Sequence, residues 1–367
     1  MNLISRLLLA GQVMLKNINK NDKQRIERVK VQLGDYFGEK EQDKILSFEV
    51  TGFHERDFSF IAFLKIKTMK TVARLVMKTI NPHPINKRII DRENQAVVEY
   101  NILKEIYSKF ENIDRCSVPN PIMVIPEIDT FLMEFVEGKV LNDELKWTRY
   151  LSNKKKFAEL EEYFFDIGRW LRHFQEITGI REDNSDTLTL VLERAEDRLN
   201  LIEKANHPYC RTSVVSTARL LLEDQIKRLS QTRILKCGRH SDFQPLNILV
   251  GRNGVTVIDF MGYQEDCIAV DLLKMMIYLE DEKWSLTSSF YRVKSLKERF
   301  LEGYGKIPDV PFPALVLCEA MQRIVSLWGN ISSTSRHFHQ YLEANYRIKK
   351  HVDWLINKQG KSTLWPN

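Results

Sequence analysis

The chain has 367 residues, of which 43% are hydrophobic and 28% charged, and its formal net charge at pH 7 is +6. This length and apolar content suit one two-lobed soluble protein or two domains, and they exclude a minimal domain. The five scattered cysteines form no C-x-x-C pair, which argues for a reducing compartment and against a disulfide framework or zinc site, and no run of about 18 apolar residues indicates a membrane-spanning helix.

The amino-terminal segment 1–20 has helical periodicity, with apolar residues from Ile4 to Ile18 on one side. Residues 1–30 hold seven Lys/Arg against two Asp/Glu, a local charge of +5. A cleaved signal peptide is not indicated, because no A-x-A site follows the apolar stretch. Two interpretations stay open: a helix docked on the body of the protein, or an interfacial helix on an anionic membrane surface. We expect a cytoplasmic protein without a nucleic-acid partner, with peripheral contact at the inner face of the membrane as the alternative location.

The next segment is rich in β-branched and aromatic residues. It predicts three strands, over Ile45–Val50, Phe58–Ile66 and Thr71–Ile80. The connection 51–57 contains one glycine and no G-x-G-x-x-G sequence. Lys78 lies near the end of the third strand, whereas Lys65, Lys67 and Lys70 are expected to reach solvent.

A helix is predicted over residues 88–110. At 100° per residue, Glu99 falls in the middle of an apolar stripe formed by Ala96, Leu103, Ile106 and Phe110. A carboxylate in that position is costly to bury unless it is paired. Glu93 lies off the stripe and has a ready explanation in solvent.

After Pro119-Asn120-Pro121, two further strands are predicted over Ile122–Ile125 and Thr130–Val136. From about residue 139 the chain becomes mainly helical, with Phe157, Leu160, Phe164 and Ile167 beginning a buried helix face that runs to Phe174. Similar patterns predict helices near 188–205, 213–230, 270–280, 289–303, 313–330 and 338–357.

The most informative segment is 237–272, which contains His240-x-Asp242-x-x-x-x-Asn247. Asn247 is followed by a predicted hairpin of two apolar strands around Arg252-Asn253-Gly254, and the second strand ends at Asp259. One acidic group to orient a hydroxyl and two oxygen ligands for magnesium are what phosphoryl transfer requires. The alternative is a buried Asp/Asn hairpin with turn duties only.

This spacing resembles the catalytic and metal loops of the aminoglycoside phosphotransferase and choline kinase group, which are small-molecule relatives of protein kinases. The resemblance covers about residues 45–280, and the remainder fits only by being helical. It implies an α+β, two-lobed protein-kinase-like fold. Residues 1–43 would then be an amino-terminal helical extension, 44–136 a β-rich nucleotide-binding lobe, and 137–367 a mainly helical lobe with the catalytic loop, the metal loop and the acceptor site.

The resemblance also implies a role for each site residue. Asp242 would accept the proton of the acceptor hydroxyl, and Asn247 and Asp259 would bind Mg²⁺. Lys78 would pair with Glu99, or with Glu93 as the alternative, and face the phosphates of ATP. The adenine edge would meet the backbone of a connector formed by Met133, Glu134, Phe135 and Val136, for which an ordinary core strand is the alternative.

Several neighbours of these residues are informative. His240 is expected to support the loop, and Asp271 either braces the catalytic loop or caps a helix. Ser241 stands where many relatives have glycine. Gln175 occupies the place of a histidine of the relatives, so we assign it no role.

We therefore expect an ATP- and Mg²⁺-dependent kinase that acts on a hydroxyl of a small molecule or glycan. A protein kinase is disfavoured because Met261 replaces a glycine and no A-P-E segment follows. A nucleotide-binding pseudokinase or scaffold is disfavoured because the aspartate, lysine and metal ligands are all retained. The final fifty residues hold seven Lys/Arg against three Asp/Glu, a local +4. That charge favours a sugar or glycolipid acceptor over an aminoglycoside antibiotic, the alternative.

Overall fold

The computed structural model describes residues 18–39, 42–56, 58–81, 94–111, 113–150, 154–184, 188–229, 232–283, 290–333 and 338–357. Their contacts divide the chain into two compact units. The first contains the described residues up to Asp143 together with Asn247–Gly262. The second contains Glu144–Leu246 and the described residues from Tyr263 onward. A short segment of the second half of the chain thus belongs to the first unit.

The first unit is built on a five-stranded antiparallel sheet. In chain order its strands are β1 (Ile45–Arg56), β2 (Ser59–Thr68), β3 (Val72–Ile80), β5 (Pro121–Ile125) and β6 (Thr130–Glu134). Strand β4 (Cys116–Ser117) comes between β3 and β5 in the chain but belongs to another sheet. Their order in the sheet is β1-β2-β3-β6-β5. All neighbouring strands are antiparallel, and the pairs β1–β2, β2–β3 and β5–β6 are joined by short connections.

Residues 51–56 of the predicted connection do not form a loop. β1 continues to Arg56 and stays paired with β2, with a register irregularity between Val50 and Gly52. The reason is that Phe53 packs against Phe60 of β2, with ring centroids 5.9 Å apart, so the strand gains an apolar contact by continuing.

Two helices accompany this sheet. Helix α1 (Lys20–Glu39) begins at Asn19, whose side chain accepts a hydrogen bond from the backbone N–H of Asp22 at 2.9 Å and so caps the helix. Its apolar residues pack into one core with the sheet, including Val29 and Leu33, which are fully buried. Helix α2 spans Gln95–Phe110. Residues 1–17 and Glu93 lie outside the described residues, although Ile18 is buried in the same core.

A second, smaller sheet in this unit carries the predicted hairpin. It consists of β4, β7 (Lys139–Val140), β10 (Ile248–Gly251) and β11 (Gly254–Val257), in the order β4-β11-β10-β7. Gly254 has φ +90°, and a Cβ atom there would overlap the carbonyl oxygen of Arg115. Only glycine meets both demands at this turn.

The second unit is mainly helical. Helix α3 (Leu141–Tyr150) leads into it, and the others are α4 (Lys154–Ile177), α5 (Thr189–Ala205), α6 (Thr212–Arg228), α7 (Ala269–Lys283), α8 (Phe290–Tyr304), α9 (Phe312–Ser332) and α10 (Phe338–Asn357). A three-stranded sheet of β8 (Arg181–Asn184), β9 (Arg233–Arg239) and β12 (Gln264–Cys267) lies among them, in the order β12-β9-β8.

The close crossing of α4 and α8 depends on two glycines, because a Cβ on Gly168 or Gly303 would strike backbone of the facing helix. All the predicted helices of this unit are present, and the α+β class is confirmed. None of the described helices is both long enough and apolar enough to cross a bilayer.

Candidate functional site

A buried cation lies between two carboxylates in the first unit. Lys78 Nζ is 2.8 Å from both carboxylate oxygens of Glu99 and 2.8 Å from Asp259 Oδ1. Lys78 and Glu99 are 5% and 3% exposed, whereas the Asp259 side chain is 29% exposed. Three elements far apart in sequence, β3, α2 and the segment after β11, therefore each contribute one charged group.

The local sequence explains why each group arrives there. Glu99 lies within the predicted buried stripe of α2, whose apolar members are all 3% exposed or less, so that prediction is confirmed. The start of α2 is held by Asp129, whose carboxylate accepts a hydrogen bond from the N–H of Ala96 at 2.8 Å. Phe260 donates its backbone N–H to Glu99 at 3.1 Å, which ties the segment after β11 to α2.

The electrostatics of this set favour a positive ligand. Burial alone would lower the pKa of Lys78, but the neighbouring carboxylates of Asp259 and Glu99 outweigh burial and raise it. The ammonium therefore stays charged across the neutral range. One ammonium and two carboxylates leave a formal charge of −1, and the more exposed of the two carboxylates is that of Asp259.

Asn247 and Asp259 lie at the open end of the β10–β11 hairpin. Ile248 pairs with Val257, and the next rung is completed by the N–H of Ile258, which donates to the Asn247 carbonyl at 3.0 Å. Asp259 follows with φ +74°, a left-handed conformation that aspartate adopts more readily than most residues. Strained backbone of this kind is concentrated at functional sites.

The donor chemistry of these two residues fits magnesium. Mg²⁺ prefers hard oxygen ligands and is commonly held by one or two protein groups together with substrate phosphates. The Asp259 carboxylate and the Asn247 side-chain amide supply oxygens, and the formal charge of −1 around Lys78 is compatible with a cation. These are the groups that would bind the metal.

The predicted connector begins within β6 and continues for two residues beyond it. Met133 pairs with Val76 of β3, the N–H of Glu134 donates to the Asn120 carbonyl at 2.8 Å, and that of Phe135 donates to the Arg74 carbonyl at 3.0 Å. Those three residues are thus tied to strands, and Val136 comes directly after them. The strand ends at Glu134, two residues before the predicted end.

A cavity of about 410 Å³ borders the connector within the first unit. Its lining includes Glu134, Phe135 and Val136, together with Tyr107 and Thr256. Lys78, Glu99 and Asp259 are not among its lining residues, so the groups that would meet phosphates lie outside this cavity.

Asp242 lies in the second unit. Its carboxylate is held at both oxygens: Lys274 Nζ is 2.5 Å from Oδ1, and Gln244 Nε2 donates to Oδ2 at 2.8 Å. The Asp242 side chain is 46% exposed. The carboxylate is therefore fixed in orientation while remaining accessible.

The residues around Asp242 support the loop. His240 is fully buried beside the rings of Trp170 and Phe243. Its Nδ1 accepts a hydrogen bond from the N–H of Asp242 at 3.3 Å. Asp271 accepts one from the N–H of His240 at 2.6 Å, so of the two alternatives for Asp271 the structure has the brace.

Ser241 has φ +73°, a backbone conformation that glycine adopts without strain. Gln175, for which the sequence predicts no role, is buried in the second unit and hydrogen-bonds to two other segments there. It donates to the Ile268 carbonyl at 3.0 Å and accepts from the hydroxyl of Tyr304 at 2.6 Å.

Sequence reasoning missed Lys274 and Gln244. Gln244 lies two residues after Asp242, so its proximity could have been noticed. The sequence signal for Lys274 is weak, because a lysine on a helix normally extends into water. Only its spacing from Asp271, three residues along the same helix, suggests that it faces the loop.

No family model matches the chain, and no curated protein sequence matches it. Among solved structures, a thermostable mutant of aminoglycoside phosphotransferase APH(4)-Ia in its apo form matches with a TM-score of 0.51 at 10% identity, over 90% of this chain and 100% of that one. A variant of that protein in ternary complex with AMP-PNP and hygromycin B gives 0.52 at 11% identity, over 90% and 99%.

The fold is that of the aminoglycoside phosphotransferases. A candidate aminoglycoside phosphotransferase from Ralstonia eutropha agrees, with a TM-score of 0.52 at 13% identity over 85% of this chain and 93% of that one. The resemblance suggested by the motif around Asp242 is thereby confirmed at the level of fold.

Proposed function

We propose that the protein is an ATP- and Mg²⁺-dependent phosphotransferase that acts on a hydroxyl group of a small molecule or glycan. The observation that carries this proposal is the buried Lys78–Glu99 pair with the partly exposed Asp259 beside it. Fully desolvated charges are costly, and a structural role could be met by apolar residues of similar volume. A lysine paired with a buried glutamate, next to two oxygen ligands for a metal, is the arrangement that kinase-type phosphoryl transfer uses.

In this proposal each residue has one task. The Lys78 ammonium neutralises nucleotide phosphates, with Glu99 holding it in place. Asn247 and Asp259 bind Mg²⁺, which when present neutralises and orients the phosphate oxygens. The backbone of Met133, Glu134, Phe135 and Val136 meets the adenine edge.

Asp242 orients the acceptor hydroxyl and receives its proton late in the reaction. The acceptor oxygen forms a bond to the γ-phosphorus, the bond from that phosphorus to the β–γ bridging oxygen breaks, and ADP leaves. Because the transition state is loose, catalysis comes mainly from positioning and charge stabilisation. Residues 44–136 would carry the nucleotide and 137–367 the acceptor.

Purified protein incubated with ATP, Mg²⁺ and a panel of hydroxyl compounds tests the proposal. Acceptor-dependent ADP formation that chelation of the metal abolishes is the expected result. A thermal shift with ATP, measured with and without Mg²⁺, separates the pseudokinase alternative, because a ligand that binds only the native state must stabilise it. Mg²⁺-dependent stabilisation by ATP without transfer to any acceptor would favour the scaffold.

The acceptor we favour is a neutral or anionic sugar hydroxyl, including one presented on a glycolipid. An aminoglycoside antibiotic is the alternative, and a structure with the same fold was solved with hygromycin B. A cytoplasmic location is part of this proposal. A peripheral contact with the inner membrane face through residues 1–20 also stays a prediction, because residues 1–17 lie outside the described part of the chain.

A further inference from the structure

One face of helix α7 fastens three successive residues of the Asp242 loop. Asp271 and Lys274 are three residues apart and so lie on the same face of this helix. Asp271 accepts the N–H of His240 at 2.6 Å. Lys274 Nζ donates to the carbonyl of Ser241 at 3.1 Å and lies 2.5 Å from Asp242 Oδ1. The helix therefore controls both the backbone of the loop and the direction of the carboxylate.

The side chain of Lys274 is more deeply buried than that of its partner Asp242. The Lys274 side chain is 16% exposed, whereas the Asp242 side chain is 46% exposed. A largely buried ammonium is costly unless an opposite charge compensates it. The Asp242 carboxylate supplies that charge and still presents an accessible surface.

The backbone next to Asp242 needs this support. Ser241 has φ +73°, a left-handed conformation that is unfavourable for a residue other than glycine. Its hydroxyl accepts a hydrogen bond from Arg239 Nε at 3.0 Å, and its carbonyl accepts one from Lys274. Arg239 is itself buried and paired with Asp266. The hydroxyl and the carbonyl of Ser241 are thus both hydrogen-bonded, which stabilises the positive φ of this residue.

The contacts also leave room for a substrate at the carboxylate. Lys274 and Gln244 each occupy one oxygen of Asp242, and a carboxylate has about four lone-pair sites. The Asp242 side chain is 46% exposed, so part of the carboxylate surface can be reached by a hydroxyl. The two contacts restrict rotation of the group without blocking it.

We propose that Lys274 is a positioning residue, which aims the Asp242 carboxylate at the acceptor hydroxyl and does not contact the substrate itself. The inference rests on the proposed function, since it assigns a role within the same site. It predicts that Lys274 affects the rate of transfer and not the binding of the nucleotide.

The test compares Lys274→Met and Lys274→Arg with the wild-type chain, and uses Lys294→Met on α8 as the matched control. The Lys294 side chain is 63% exposed and pairs only at a distance of 3.7 Å with Glu298. Steady-state kinetics would give kcat and both KM values, calorimetry the affinity for Mg²⁺-ATP, and thermal unfolding the stability of each variant. Asp242→Asn is measured alongside as the reference for loss of the catalytic carboxylate.

We expect Lys274→Met to lower kcat roughly 100-fold, the scale on which misplacing a reacting group by about 1 Å slows an enzyme, and to leave Mg²⁺-ATP affinity and the KM for ATP within about twofold. Lys274→Arg should recover most of kcat, because a guanidinium can still bind the carboxylate. Adding Ser241→Gly to Lys274→Met should recover part of it, since glycine adopts the positive φ without strain.

The negative results distinguish the positioning role of Lys274 from the proposed function. Wild-type turnover in Lys274→Met beside an inactive Asp242→Asn would overturn the positioning role and leave the proposed function intact. A wild-type chain that transfers no phosphoryl group would instead refute the function. Restored melting temperature without restored kcat in Lys274→Arg would also overturn positioning, because the primary ammonium would then be required for itself. Should Lys274→Met fail to fold, Lys274→Gln replaces it under the same criteria.

Discussion

At the scale of single residues, Lys78 has two duties that must be separated in any experiment. It would face the nucleotide, and it also neutralises Glu99, which is almost fully buried. Removing one member of a buried pair leaves the other charge uncompensated, at a cost of about 3–5 kcal/mol. A loss of activity on replacing Lys78 alone would therefore not show whether catalysis or folding had failed.

We expect Lys78→Met to lose both turnover and stability, whereas the double variant Lys78→Met/Glu99→Gln should regain stability and remain inactive. The neutral Gln removes the uncompensated charge but does not replace the ammonium. Lys65→Met and Lys67→Met, at exposed positions of β2, are the matched controls and should be nearly silent. Thermal unfolding together with kinetics checks this, and equal losses at all three lysines would show that the wrong strand had been chosen.

Replacement of Asp242 tests the role of its carboxylate in the transfer step. Asp242→Asn retains the size and both flanking contacts in part, but it cannot accept a proton as a carboxylate does. We expect turnover to fall by at least about 100-fold, the usual scale of general-base contributions, with Mg²⁺-ATP affinity unchanged by calorimetry. Near-normal turnover in a properly folded Asp242→Asn would remove this residue from the mechanism. The exposed Asp309→Asn provides a control for the substitution itself.

At the scale of elements, the β10–β11 hairpin carries both oxygen donors at its open end. In the proposed metal site, Asp259→Ala would remove a charged ligand and Asn247→Ala a neutral one, so the first should abolish Mg²⁺-dependent ATP binding and the second should weaken it less. Calorimetric titration of each variant with ATP in the presence and absence of Mg²⁺ measures the difference. Unchanged Mg²⁺-ATP affinity in Asp259→Ala would contradict the metal assignment.

The closed end of the same hairpin is set by Gly254. Alanine there must adopt φ +90° and also overlap the carbonyl oxygen of Arg115. We expect Gly254→Ala to lower the free energy of unfolding by at least about 1–2 kcal/mol, the cost of the left-handed conformation alone. Mg²⁺-ATP affinity should fall with it, since the hairpin positions Asn247 and Asp259.

Gly251→Ala is the control in the same hairpin, because its Cβ would meet its nearest neighbour, the Glu137 carbonyl oxygen, at 3.3 Å. Chemical denaturation should show a clearly smaller loss for this variant. Equal losses for the two variants would mean that the conformation at Gly254 does not determine the stability of the hairpin.

Much of the candidate site was predictable because its signals are local. The spacing from Asp242 to Asp259 and the placement of Glu99 on an apolar stripe each lie within about 20 residues and follow directly from strand and helix periodicity. Lys274 was not predictable in this way, since it is 32 residues from its partner Asp242. Strand β8 was missed because its sequence, Arg181-Glu182-Asp183-Asn184, is wholly polar and has no alternation to detect.

At the scale of the whole molecule, the positive charge of the final fifty residues is partly neutralised by ion pairs within the second unit. Arg323 is 1% exposed and binds Glu319 and Glu280 at 2.8 and 2.7 Å. Arg347 lies 3.8 Å from Glu282. Arg336 lies outside the described residues. Counting charge along a sequence therefore overstates how much of it is available to a ligand.

Lys349 and Lys350 are the basic residues of α10 for which the structure gives no carboxylate partner among the described residues, and Lys350 lies over the ring of Tyr346 at 5.3 Å. A polycationic acceptor calls for a carboxylate-lined cleft, whereas these lysines add positive charge to the unit that contains Asp242. We therefore expect neutral or phosphorylated sugars and glycans to be phosphorylated with a higher kcat/KM than kanamycin-like compounds. Lys349→Glu/Lys350→Glu should narrow that preference, with the catalytic residues left intact. A screen in which aminoglycosides alone are phosphorylated, and the charge reversal has no effect, would show that shared fold is a better guide to the acceptor than charge.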